Sequence, residues 1–239
     1  MIVLNIAVIF AGGVGSRMKS KSGVPKQFLE VAGKTIIAHT IQIFEDNKNI
    51  DQIVVSMLPS GIDKMSRIVA QHGFKKVSAI VPGGETGQLS IFNGLKAARR
   101  ISNSKNDIVL IHDGVRPLIT SDLINQNIEG VKKYGSAITT APAKETFVLV
   151  DESGGVEEVV DRRKSFIAKA PQSFFLDEIL MIDEKAITNG ETDVIDSSTL
   201  MAKHGVKLHI VEGPYENIKI TTPDDYFMFK ALYEAQLTN

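Results

Sequence analysis

Apolar positions along this chain of 239 residues follow two spacings that take turns. Compact β-prone runs at Asn5–Phe10, Gln52–Met57, Val77–Val81, Asp107–His112 and Ala137–Ala141 predict strands. Between them, apolar residues recur at i, i+4 and i+7: Ile37, Ile41 and Phe44; Ile91, Leu95 and Ala98; Ile124, Ile128 and Val131. That spacing lines one face of a helix. Strands that read as near-continuous apolar runs and alternate with such helices predict a largely parallel sheet covered on both faces. Thr222-Pro223-Asp224-Asp225 reads as an N-cap, a proline at the first helical position and acids in the first turn, so a last helix should start there. No repeat, low-complexity tract or linker interrupts the pattern, and the length suits a single α/β domain over 1–239.

One stretch breaks the rhythm. Residues 143–164 hold two short β-prone runs, Thr146–Val150 and Val156–Val160, joined by Asp151-Glu152-Ser153-Gly154-Gly155. A glycine turn between such runs predicts a hairpin. Layers of parallel strands and helices leave no room for it, so it should project as an arm, either as decoration or to clasp a second subunit.

Composition narrows the chemistry. Hydrophobic residues make up 43%, enough for a substantial core, and the net charge is −1. No global field draws the chain to nucleic acid or an anionic membrane, so any cations that matter must be local. There is no Cys, which removes disulfides, thiolate catalysis and Cys-based zinc sites. Five His show no i, i+4 pair, against a protein-only zinc site. No apolar run reaches the roughly 18 residues of a membrane span, and no basic leader precedes the first strand, so a cytoplasmic protein starting at Met1 is expected.

The strongest local signal follows the first strand. Ala11-Gly12-Gly13-Val14-Gly15-Ser16-Arg17-Met18 precedes Pro25-Lys26-Gln27-Phe28-Leu29. Glycines let backbone N–H groups approach an anion without a Cβ in the way, and Arg17 and Lys26 bring two cations to the same phosphates. No Lys-Ser/Thr follows the glycines, so this is not a Walker loop, and Met18 stands where a dinucleotide fingerprint needs its third glycine. The loop suits a triphosphate.

Those two segments, with Gly83-Gly84-Glu85, Ser90-x-x-Asn93-Gly94-Leu95, His112-Asp113-Gly114-Val115-Arg116-Pro117, Asp161-Arg162, Pro171-Gln172-x-Phe174, Asp196-Ser197-Ser198 and Asn217-Ile218-Lys219-Ile220-Thr221, resemble in order the cytidylyltransferases that act on ribitol 5-phosphate or on methylerythritol 4-phosphate. The resemblance runs almost end to end. It implies a Rossmann-like, mostly parallel sheet with helices on both faces, of the nucleotide-diphospho-sugar transferase type, and transfer of CMP from CTP to a polyol phosphate with magnesium. Arg17, Lys26 and Lys219 would be catalytic, the first two on the β- and γ-phosphates and Lys219 on the α-phosphate. Lys219 ends a β-prone run (Lys207–Val211, then Asn217–Ile220), which would point it rigidly into a cleft. Ala11, Gly12, Gly13, Gly84, Glu85 and Ser90 would embrace the cytosine, with Gly114 near the ribose. Asp113, at the carboxyl end of a strand, would hold magnesium or the incoming hydroxyls, and Arg116 the incoming phosphate. His112 is expected to pack rather than catalyse. The arm would make a homodimer, and Thr146 and Arg162 on it would reach the neighbour's active site.

The chain departs from that pattern in three places. Gly87 stands where relatives usually carry Arg, Ala170 replaces a Thr before Pro-Gln, and Ile195 precedes Asp196 where Thr-Asp is usual, with Thr192-Asp193 as the other alignment. A different acceptor is the expected consequence. The Ala11-Gly12-Gly13 opening and the His112–Pro117 segment favour a pentitol phosphate feeding a surface polysaccharide. Methylerythritol 4-phosphate and a non-catalytic nucleotide-binding dimer are the alternatives.

Overall fold

The computed structural model describes residues 3–13 and 24–238. In chain order the strands and helices are β1 (Asn5–Ala11), β2 (Glu30–Val31), β3 (Lys34–Thr35), α1 (Ile36–Asp46), β4 (Gln52–Met57), α2 (Ile62–His72), β5 (Val77–Pro82), α3 (Gly87–Ile101), β6 (Ile108–Asp113) and α4 (Ser121–Tyr134). There follow β7 (Ser136–Pro142), β8 (Val148–Val150), β9 (Val156–Val159), β10 (Phe166–Phe175), α5 (Leu176–Thr188), α6 (Ser197–Lys203), β11 (Ile210–Glu212) and α7 (Pro223–Thr238).

Seven strands form one sheet in the order β11-β7-β10-β6-β1-β4-β5. β6, β1, β4 and β5 are parallel, as is β11 to β7, while β10 runs antiparallel to both β6 and β7. All five expected strands are present. The antiparallel β10 was not anticipated, because Pro171 in its middle argues against a central strand. The structure accommodates it with an irregularity between Ala168 and Gln172 and a cis Ala170–Pro171 bond, after which pairing with β7 resumes.

Period-two alternation sorts the core. Ala7 and Ile9 of β1 face a cluster with Ile37, Ile41, Phe44, Ile124, Ile128 and Val131; Ile6 and Val8 face another with Ile91, Leu95 and Ala98. The three helix stripes thus lie as expected, with α1 and α4 on one face of the sheet and α3 on the other. Thr222 and Asp225 close a reciprocal capping box at α7: the Asp225 carboxylate accepts from the Thr222 N–H at 2.7 Å, and the Asp225 N–H reaches the Thr222 hydroxyl at 3.4 Å.

The hairpin forms its own two-stranded sheet, β8 with β9. Asp151 organises its turn, accepting from the Ser153 and Gly155 N–H groups at 2.8 and 2.9 Å. Phe147, Val148, Leu149, Val150, Val156 and Val159 are all exposed, an apolar surface that none of the described residues covers.

Candidate active site

Two cavities adjoin at the carboxyl edge of the parallel strands, where ligands of open α/β sheets bind. The larger, about 620 Å³, is lined by Ala11 at the end of β1 and Gly12 and Gly13 beyond it, by Lys26 and Gln27, by Gly84, Glu85, Thr86 and Ser90 around the start of α3, and by Val115. The smaller, about 310 Å³, is lined by Arg116, Lys169, Ala170, Gln172, Asp183, Asp196 and Ser197 among others. Phe10, Gly87, Asp113 and Lys219 line both.

The larger cavity is shaped by main chain. A Cβ on Gly12 would fall 2.6 Å from the Ser90 hydroxyl, and one on Gly84 would collide with Leu89, so both loops need glycine to pack against α3. The buried Ser90 hydroxyl accepts from the Gly84 N–H at 3.1 Å and donates to the Thr86 carbonyl at 2.9 Å, which fixes the second loop. Thr86 caps α3, accepting from the Leu89 N–H. Gln27, in a short turn of helix at Lys26–Phe28, donates to the Ala11 carbonyl at 3.2 Å and ties the Pro-Lys-Gln segment to the first loop. Lys26 thereby stands at the glycine loop, as expected. Arg17 lies outside the described residues. Gly114 is buried beneath the wall, its N–H donating to the Phe10 carbonyl, and Val115 takes the lining position.

Asp113 is the electrostatic centre. One carboxylate oxygen is 2.7 Å from Lys219 Nζ and the other 3.2 Å from Arg116 Nε. Burial alone would push its pKa up; the Arg116 and Lys219 charges overcome that and hold it well below the usual carboxylate range. Arg116 also donates to the Asn217 carbonyl at 2.7 Å, and Asn217 donates to the Ala170 carbonyl at 2.8 Å. Lys219 does not end a strand. Residues 217–220 belong to no strand, and the segment is pinned by the Ile220 N–H on the Val115 carbonyl at 2.9 Å. The β-prone composition there reflects burial of Ile220 among Val31, Ile36 and Phe229 rather than sheet pairing.

His112 turns inward, fully buried against Phe44, and its Nε2–H donates to the Arg116 carbonyl at 3.1 Å. Burial lowers its pKa to about 4, so it stays neutral at pH 7 and lines neither cavity.

In the smaller cavity, Lys169 donates to the Tyr215 and Asn217 carbonyls at 2.7 and 3.2 Å and sits over the Tyr215 ring. Burial, and after it the Arg116 charge, lowers its pKa to about 8. Asp196 caps α6, accepts from Gln172 at 3.0 Å and lines the cavity, whereas Asp193 is exposed and outside the lining. Asp183, 1% exposed, accepts from Gln88 at 2.8 Å. Lys169, Asp183 and Gln88 escaped the sequence reading. Asp183 did leave a signal: it occupies the buried stripe of α5 with Leu176, Ile179 and Ala186, where an acid is out of place. Thr146 and Arg162 line neither cavity of their own chain; Arg162 is exposed and donates to the Lys144 carbonyl. Among the described residues no group of three or more His, Asp or Glu is arranged to hold a metal.

Glycine loops and a lysine around one cavity, beside a cation-rich pocket that shares its wall, define a nucleotidyltransferase. The profile of the IspD family, 2-C-methyl-D-erythritol 4-phosphate cytidylyltransferase, matches residues 5–235, and the chain belongs to that family. It is 59% identical over 233 residues to a ribitol-5-phosphate cytidylyltransferase of Streptococcus agalactiae serotype Ia, covering 98% of this chain and 97% of that one. It is 40% identical to a 2-C-methyl-D-erythritol 4-phosphate cytidylyltransferase of Clostridium acetobutylicum, covering 96% and 97%. The crystal structure of 4-diphosphocytidyl-2C-methyl-D-erythritol synthase from Anaerococcus prevotii superposes with a TM-score of 0.83 at 29% identity, over 97% of this chain and 96% of that one.

Proposed function

We propose that this enzyme transfers CMP from CTP to D-ribitol 5-phosphate, giving CDP-ribitol and pyrophosphate. The observation that carries the reading is the shared wall: a nucleotide-sized cleft and a smaller cationic pocket meet at Phe10, Gly87, Asp113 and Lys219. The 59% identity to a ribitol-5-phosphate enzyme supports the acceptor. CTP occupies the larger cavity, with the base against residues 11–13 and 84–85 and the triphosphate toward Lys26 and Arg17. An acceptor phosphate oxygen attacks the α-phosphorus at the shared wall; the new P–O bond forms as the bond to the bridging oxygen of pyrophosphate breaks. The phosphate is already anionic at pH 7, so no general base is required. Lys219 stands where charge builds on the α-phosphate, and Arg116 and Lys169 hold the acceptor phosphate. Asp113 keeps Lys219 and Arg116 in place.

Asp113 offers magnesium one carboxylate already shared by two cations. Among the described residues Asp113 is the one that would hold a magnesium ion arriving with the nucleotide. Bound so, the ion would neutralise triphosphate charge.

The arm's exposed apolar strands support a homodimer in which Thr146 and Arg162 complete the partner's acceptor pocket. Mixing Arg162→Ala with Lys26→Ala subunits then restores activity to heterodimers, each holding one intact site; verified heterodimers without recovery would put Arg162 outside the partner's site. The expected location is the cytoplasm, with its CTP; no helix among the described residues is long and apolar enough to cross a membrane.

The family profile and the 40% identical relative favour 2-C-methyl-D-erythritol 4-phosphate as the second reading. Pyrophosphate release from CTP and magnesium, compared across ribitol 5-phosphate, methylerythritol 4-phosphate and other polyol phosphates, tests both. Ribitol 5-phosphate should give the highest kcat/KM and EDTA should abolish turnover; preference for methylerythritol 4-phosphate would reverse the assignment, and full activity in EDTA would refute the metal's part.

A further inference from the structure

We infer that Asp183, held by Gln88, reads the hydroxyl groups of the acceptor's polyol chain and so determines which acceptor the enzyme accepts. The inference rests on the function proposed above and adds a subsite to it.

Four observations carry it. Asp183 is 1% exposed, yet it lines the smaller cavity and does not line the larger one. Among the described residues its one hydrogen bond is from Gln88 to Oδ1 at 2.8 Å, and none of them gives it a cationic partner. A carboxylate accepts at about four lone-pair sites, so most of its capacity is unused within the chain. Gln88 is itself anchored at both ends of its amide: besides Asp183, it donates to the Glu191 carbonyl at 2.9 Å and accepts from the Val194 N–H at 2.8 Å, fixing the segment that leads to Asp196. The carboxylate is therefore held at a set place on the cavity wall.

The chemistry of the wall decides what it meets. Arg116, Lys169 and Lys219 are the lining cations, and Lys219 lies at the wall shared with the nucleotide cleft. The reacting phosphate must lie there, because its oxygen attacks the nucleotide. A buried carboxylate repels a phosphate, so Asp183 faces the other end of the acceptor, whose hydroxyls are neutral donors. Burial raises the Asp183 pKa to about 6, against the partial relief from Gln88, so the group is mostly ionised at pH 7 and acts as an acceptor. A purely structural anchor for Gln88 needs no charge: a neutral amide of the same shape offers the same oxygen without the burial penalty. A charge kept at a cost in stability marks a functional position.

The test is Asp183→Asn, which preserves shape and the Gln88 contact. Steady-state kinetics are run at pH 7.5 with CTP and either ribitol 5-phosphate or glycerol 3-phosphate, which carries fewer hydroxyls, alongside thermal melting. The wild type prefers the longer chain. In the variant, kcat/KM for ribitol 5-phosphate falls roughly 10- to 100-fold, as for a lost charge-assisted hydrogen bond, the preference over the shorter chain shrinks, KM for CTP stays within about twofold, and Tm rises. An equal loss on both acceptors, an unchanged kcat/KM for ribitol 5-phosphate, or a fall in Tm would overturn the subsite and leave the reaction standing. A wild type that turns over methylerythritol 4-phosphate and neither test acceptor would overturn the proposed function, and the inference with it.

Discussion

The two cavities touch at four residues yet are made of different material. The side proposed for the nucleotide is built largely around main chain: glycine loops after β1 and β5, braced by the hydroxyls of Ser90 and Thr86 and the amide of Gln27. The side proposed for the acceptor gathers charged and polar side chains, Arg116, Lys169, Gln172, Asp183 and Asp196, among apolar ones such as Ile111, Val194 and Leu200, drawn from strands and helices far apart in sequence. A base can be held by backbone amides and carbonyls whose placement depends on the fold, so that half stays constant wherever the loops pack. A polyol phosphate is read by side chains that can change singly without disturbing the loops. Acceptor choice is thus free to vary within one donor frame.

The largest effect should come where the halves meet. Replacing Lys219 by Ala removes the one cation among the described residues that lines both cavities, and of the two described ion pairs of Asp113 leaves the one with Arg116. Loss of a preorganised charge at the reacting phosphorus lowers kcat by about 10³-fold. Single-turnover CMP transfer measures it, with CTP binding followed by calorimetry. A loss confined to the KM of one substrate would assign Lys219 to one half and undo the shared wall. Lys219→Arg should recover little, since a planar fork does not replace a compact ammonium between Asp113 and Phe10.

That contrast also explains what could be read without coordinates. The five parallel-type strands, the three helix stripes, the hairpin and the α7 cap all follow from local periodicity and turn chemistry, and all are present. Residues of the nucleotide half lie in short contiguous segments, 11–13, 26–27 and 83–90, so their glycines and Lys26 were legible. β10 was not, because Pro171 masks it, and with β10 went Lys169, whose place in the cavity depends on the irregular pairing next to that proline. Asp183 and Gln88 meet across 95 positions, a contact no local pattern encodes.

Acid should separate two buried groups that lie in different layers. His112, with its pKa lowered to about 4 from an unfolded value near 6.5, binds a proton on unfolding in the window between them. Stability therefore falls as pH drops from about 6.5 to 4, by up to ~3 kcal/mol from this group. Asp183 works the other way: its folded pKa is raised to about 6, so the folded state takes up the proton first and gains stability over much of the same window. The wild type should accordingly lose only part of that ~3 kcal/mol between pH 7 and pH 4.5, and Asp183→Asn should lose more. Urea unfolding at the two pH values is the measurement. Equal acid losses in wild type and variant would mean that Asp183 titrates alike in both states.

The smallest effect tests whether the donor half can be strengthened alone. Gly87 opens α3, lines both cavities, and has nothing within 4 Å of where a Cβ would stand. An Arg there enters open space rather than a packed wall. A cation at a helix N-terminus is unfavourable by roughly 0.3–1 kcal/mol, which offsets much of its attraction to the triphosphate. The net gain should be modest: Gly87→Arg lowers KM for CTP about three- to tenfold, with the ratio of kcat/KM between ribitol 5-phosphate and shorter polyol phosphates unchanged. Competition by CDP, measured with both acceptors, reads the same change without turnover limits. If KM for CTP holds and the acceptor ratio moves instead, position 87 belongs to the acceptor half. Its glycine would then be space kept for the polyol rather than a cation missing from the nucleotide.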